Sequence, residues 1–141
     1  MIWIYFPILF IISIIDIRTK KIPDRWNLAL ALIGIGFTTH LVIVMKKSLW
    51  LGVGGTLLVF LCLLAVAAIT HGSLGGGDIK LATALSLPIS TLGVDQLVLA
   101  WLVIGMSCVP ILGLAAIGAI SWNSRIPFAP SLALGYLAAM V

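Results

Sequence analysis

Apolar residues run along this chain in long stretches that polar and charged residues break at a few spaced points. The stretches cover about 2–15, 26–45, 50–69, 79–91, 96–120 and 128–141. In lipid a backbone must satisfy its own hydrogen bonds, so each stretch is read as a helix. A bilayer core ~30 Å thick takes about 20 helical residues to cross. The fourth stretch is short and carries Pro88, the fifth is long with a kink expected at Pro110, and the sixth is short. This pattern predicts an all-α polytopic membrane bundle of about six transmembrane helices, with short fourth and sixth members, in one domain over 1–141.

The breaks fit that division. Pro23-Asp24 reads as a helix start, with proline tolerated in the first turn and aspartate favoured at the positive end of the helix dipole. Lys46-Lys47-Ser48 is a turn, 70–77 a loop, Asp95 the N-cap of the fifth helix and 121–127 a further loop. Gly52, Gly54 and Gly55 allow a neighbouring helix to come close to the third.

Composition agrees with a membrane location. The 141 residues are 62% hydrophobic and 9% charged, with a mean hydropathy of +1.29, and a soluble domain of this size needs far more polar surface. No positive charge precedes the first stretch and no small-x-small cleavage site follows it, which argues against a signal peptide. Arg18, Lys20, Lys21, Arg25, Lys80 and Arg125 fall at one side of a six-span arrangement, and only Lys46 and Lys47 at the other. The positive-inside rule then places the N-terminus outside and the richer side in the cytoplasm. The net charge of +4 sits at span ends, where it suits anionic lipid headgroups and offers no basic module for nucleic acid. Tryptophans near span ends, including Trp26, Trp50 and Trp122, suit interface anchoring. Cys62 and Cys108 lie in apolar runs without ligand spacing and read as buried thiols, so neither a metal site nor a cofactor is expected.

Four acidic residues remain to be explained, and two of them stand out. Asp16 ends the first helix and Asp78 opens the fourth, directly after Gly75, Gly76 and Gly77. Odd helices run inward and even helices outward, so both carboxyls reach the cytoplasmic boundary. Acids at such positions are rare and are commonly functional. Plainer readings stand beside this. Asp16 could form an interfacial ion pair with Arg18, Asp78 could be a helix N-cap, and the glycines could be a flexible connector. Lys80 could act on the acidic pair or substrate, or serve as a topology-setting charge. His71 reads as an interfacial polar residue. A small ion-coupled transporter or assembly subunit that binds a cation or proton through the two acids is the alternative function.

Three ordered segments resemble the type IV prepilin peptidases. Gly75-x-Gly77-Asp78, continued by Ile79-Lys80-Leu81, matches the GxGD motif of that family. Asp16-Ile17-Arg18-Thr19-Lys20-Lys21-Ile22-Pro23-Asp24 is similar to its D-x-R-x-x-x-I-P-N segment, with Asp24 in place of the common Asn and still able to supply a capping oxygen. Arg125-Ile126-Pro127-Phe128-Ala129-Pro130-Ser131-Leu132-Ala133-Leu134-Gly135 resembles its IPFGPFLALG segment, with Ala129 and Ser131 as departures.

The resemblance implies a membrane aspartic endopeptidase that removes a short basic leader from pilin-like precursors, after a glycine and ahead of their apolar helix. Asp16 and Asp78 would be the catalytic pair. Arg18, Ile22, Pro23, Gly75, Gly76, Gly77, Lys80 and Pro127 would support the site or the approach of substrate, the glycines by adopting bent or left-handed backbone. No CxxC pair is present, so peptidase activity without methyltransferase activity is expected. The expected setting is the cytoplasmic membrane, multi-pass, with the lipid bilayer and a prepilin as partners and the site facing the cytoplasm.

Overall fold

The computed structural model describes residues 2–19, 22–69, 75–116 and 128–141. Expectations for Lys20, Lys21, His71, Trp122, Arg125 and Pro127 lie outside the described residues. Six helices and no strands are present among them: α1 Ile2–Thr19, α2 Asp24–Val44, α3 Leu49–Ile69, α4 Gly76–Leu92, α5 Val94–Ala116 and α6 Ala129–Met140. Two of these, α2 and α3, are long and apolar enough to cross a membrane. Their outward sides expose Leu28, Leu32, Ile43, Leu57, Leu58 and Leu61, a surface that lipid accommodates and water does not. α6 has twelve residues, ~18 Å at 1.5 Å per residue.

α4 is the central helix, packed against α2, α3, α5 and α6, while α1 rests on α2 and α6. Its buried set Leu81, Ala82, Leu85, Ser86, Pro88, Ile89, Ser90 and Thr91 leaves little of its surface outside. Small residues let the helices close on it. A Cβ at Gly55 would come 2.5 Å from Ser90 Cβ, and one at Gly52 would meet the Thr91 side chain. Gly54 faces open space and takes no part. Pro88 sits within α4 and cannot donate to Ala84 O. Gly34 of α2 lies over that carbonyl, where a Cβ would be 3.2 Å away. The absence of a side chain there lets α2 cover the defect.

Polar groups in the interior are mostly tied to backbone. Ser86 Oγ donates to Ala82 O at 2.6 Å, Tyr136 Oη donates to the same carbonyl at 3.0 Å, and the two hydroxyls are 2.7 Å apart. This links α6 to the middle of α4. Around it lie Tyr5, Leu9 and Ile12 of α1, Leu30 of α2, Val59 and Leu63 of α3, Ile104 of α5 and Leu132 of α6.

Several local expectations change. α1 continues to Thr19 and α4 begins at Gly76, because a backbone beside a packed neighbour extends its hydrogen-bond ladder past the end of the apolar run. α5 starts at Val94, placing Asp95 inside its first turn, and runs on through the position of Pro110. Cys62 is exposed on the outer side of α3 and Cys108 is half-buried, so neither is the fully buried thiol expected.

Candidate active site

Four helix ends meet at one end of the bundle: the C-terminal end of α1 and the N-terminal ends of α2, α4 and α6. Each contact there crosses between segments far apart in sequence. Asp16, 5% exposed, accepts the Ala129 N–H on Oδ2 at 3.1 Å. Ala129 opens α6, so this carboxylate faces the positive end of a helix dipole. Arg18 is exposed at the end of α1, and no Asp16–Arg18 ion pair occurs among the described residues. The simple interfacial pair is therefore absent, since Asp16 points inward and Arg18 outward.

Asp78 stands in the first turn of α4, ahead of the apolar run and outside the spanning segment. Gly75 is the N-cap, so Asp78 occupies the third helical position instead of the cap expected for it. From there its carboxylate reaches back to accept the Gly75 backbone N–H, the reciprocal half of a capping box. Its Oδ1 is buried with no partner. Burial pushes this carboxyl up from 3.8 to about 6, with the charge of Asp16 adding to the rise and the Gly75 hydrogen bond opposing it. The two acids thus share one electrostatic environment. No hydrogen bond between the two carboxyls occurs among the described residues, and the backbones of α1 and α4 do not come close. α6 and α2 stand as the bridges between them.

The glycines act by close approach and not by unusual torsions. Gly75 has extended backbone, φ −66° and ψ 137°, while Gly76 and Gly77 are helical, so the expected left-handed bend is absent. A Cβ on Gly75 would sit 2.9 Å from Asp78 Oδ2, and one on Gly77 would sit 3.2 Å from Ile22 Cβ and 3.5 Å from Ile22 O. Gly76 meets nothing within 4 Å. Pro23 is the N-cap residue of α2, and Asp24 makes no capping bond. Asp24 instead holds Lys80 in an ion pair of 2.8 Å, both side chains well exposed. Lys80 is thereby directed to α2. A groove of about 610 Å³ opens beside this pair, with Asn27, Leu28, Phe60 and Thr83 among its walls.

Two groups around the acids lie outside the residues singled out from the sequence, the Ala129 N–H and Asn27. The Ala129 donor is backbone, and only the proline that follows hints at a helix start. Asn27, whose Nδ2 donates to Gly77 O at 3.4 Å, could have been found as a lone amide two residues inside an apolar run.

Comparison with known proteins adds an independent line. The model of the type IV leader peptidase family matches residues 3–113. A prepilin leader peptidase/N-methyltransferase of Bacillus subtilis (strain 168) is 32% identical over 142 residues, covering 96% of this chain and 53% of that protein. The chain therefore spans about half the length of that curated relative. No solved structure matches.

Proposed function

Because the chain belongs to the type IV leader peptidase family, we propose that it is a membrane aspartic endopeptidase acting on pilin-like precursors. Asp16 and Asp78 are its catalytic pair, and hydrolysis is the activity assigned to these 141 residues. The observation that carries the reading is the placement of two inward-turned carboxyls, felt by one another, at the one end of the bundle where α1, α2, α4 and α6 converge. A transporter would not require the Gly75, Gly77 and Ala129 backbone groups to be gathered around them.

The pair divides its work by surroundings. Asp16 Oδ2 accepts the Ala129 N–H at the start of α6 and is assigned the role of general base toward water. Asp78, pushed up to about 6 and without a partner on Oδ1, is assigned the role of acid: in its protonated form it donates to the scissile carbonyl oxygen. Water attacks that carbonyl carbon, its proton passes to Asp16, and the tetrahedral oxyanion is met by the Asp78 proton. Collapse returns a proton to the leaving amine. The substrate carbonyl supplies the missing partner of Asp78 Oδ1.

Six helices are taken to cross or enter the bilayer, with the N-terminus outside and the acids at the cytoplasmic boundary. Lys47 Nζ donates to Leu92 O at 3.1 Å, which fastens the α2–α3 turn to the far end of α4, opposite the acids. That supports opposite sides for Lys47 and for Lys80. The test is co-expression with a precursor whose basic leader ends in glycine before an apolar helix, followed as a gel shift. Asp16→Asn and Asp78→Asn should each abolish processing while still inserting; normal processing by either variant sinks the proposal.

A further inference from the structure

Asn27 is buried in a helix whose other buried members are Leu30, Gly34, Thr38 and Leu41, and it is only 5% exposed. A buried carboxamide is destabilising unless its polar atoms are paired. Pairing here is partial. Nδ2 reaches Gly77 O over 3.4 Å, longer than the usual ~2.7–3.2 Å, and Oδ1 is buried without a partner. An apolar side chain of similar volume would suit α2 better, so stability does not account for the residue.

The bond is not needed by Gly77 either. Helical geometry in the first turn of α4 already directs the Gly77 carbonyl to the N–H four residues on, that of Leu81. Asn27 is a second donor to it. On its other side Gly77 lies against Ile22, and the Trp26 N–H bond to Pro23 O at 3.1 Å fixes the turn that joins Ile22 to Asn27. The start of α2 therefore grips the peptide that leads from Gly77 into Asp78 from two directions. The Asp78 carboxyl is tied to the Gly75 N–H of the same turn and its Oδ1 has no partner, so its aim follows the backbone of that turn.

We propose that Asn27 is a positioning residue of the reaction, holding the Gly77–Asp78 peptide so that the Asp78 carboxyl is aimed at the reacting carbonyl. The proposal rests on the peptidase reading above. Asn27 acts on the reaction through the Gly77 carbonyl that it bonds. Its loss acts on kcat, because misplacing a catalytic group by ~1 Å can cost about 100-fold while substrate binding is kept.

The test compares wild type, Asn27→Leu, Asn27→Ala and Asp78→Asn in detergent, using a purified precursor with a basic leader ending in glycine. Cleavage by the wild type and none by Asp78→Asn establishes the reaction independently of Asn27. Asn27→Leu should then lower kcat about 10- to 100-fold with KM changed less than about threefold and an unfolding temperature no lower than wild type. Asn27→Ala should show the same kcat loss per folded molecule. A wild-type kcat per folded molecule in either variant overturns the positioning role, as does failure of both variants to fold, which would make Asn27 structural. Absence of cleavage by the wild type overturns the peptidase reading and this inference with it.

Discussion

Replacing Asp78 by asparagine should make the protein more stable at neutral pH while removing its activity. The Asp78 carboxyl is pushed up from 3.8 to about 6, first by burial and then by the Asp16 charge, so the folded chain holds a proton that the unfolded chain gives up. By linkage, a raised carboxyl contributes its full stabilisation below the unfolded value, and the contribution is lost as pH rises through about 6. At pH 7 folding must carry an ionised carboxylate into surroundings that disfavour it. At 1.36 kcal/mol per tenfold this difference is about 3 kcal/mol. Partial solvent access screens it to about 1–2 kcal/mol. Asparagine has nearly the same shape, keeps an acceptor for the Gly75 N–H and carries no charge. Thermal unfolding in detergent, followed by tryptophan fluorescence, should show Asp78→Asn melting about 5 °C higher than wild type at pH 7.5. The gap should shrink to under about 1 °C at about pH 3, below the unfolded value, where both forms are mostly neutral, folded and unfolded. A variant no more stable at pH 7.5, or a gap of equal size at the lower pH, would refute the burial and repulsion assigned to this carboxyl.

Three further substitution experiments follow from the packing. The three glycines should separate by what a methyl group meets: Gly75→Ala displaces Asp78 Oδ2 and should cut cleavage at least about 10-fold without loss of stability. Gly76→Ala meets open space in a helix and should leave cleavage unchanged while adding about 0.5–1 kcal/mol, whereas Gly77→Ala presses on Ile22 and should lower both cleavage and stability. Lys80→Ala breaks an ion pair whose partners are 61% and 76% exposed, so it should cost under about 1 kcal/mol and leave cleavage within about threefold of wild type. Gly135→Ala sets a Cβ 2.5 Å from Ala100 O and into Ile104; it should part α5 from α6, cost at least about 1–3 kcal/mol, and reduce the yield of folded protein on gel filtration.

The division into six helices was legible because each apolar run is bounded by proline, glycine or charge, and helices are the economical way to hide backbone in lipid. Helix ends were less legible: α4 opens at Gly76, since glycines without side chains can join a helix when a neighbour such as Ile22 packs on them. The acids themselves were visible as charges in an oily chain. What surrounds them was not. Asp24 looked like a cap and is the partner of Lys80, because a helix that starts after proline leaves its first side chain free to turn outward. The Ala129 N–H is a backbone group brought to Asp16 by tertiary packing alone, and no residue type announces it.

The acids stand on α1 and α4, helices joined through α2 and α6, and each is anchored separately. Two carboxyls in contact would settle their shared proton between them and occupy one another's hydrogen-bonding atoms. Here each is held by a different backbone donor, Ala129 for Asp16 and Gly75 for Asp78. Burial raises Asp78 and the charge of Asp16 adds to the rise, while its Oδ1 stays unpartnered. A buried acceptor without a partner is costly in a closed protein, and it is relieved when an extended peptide enters and supplies one.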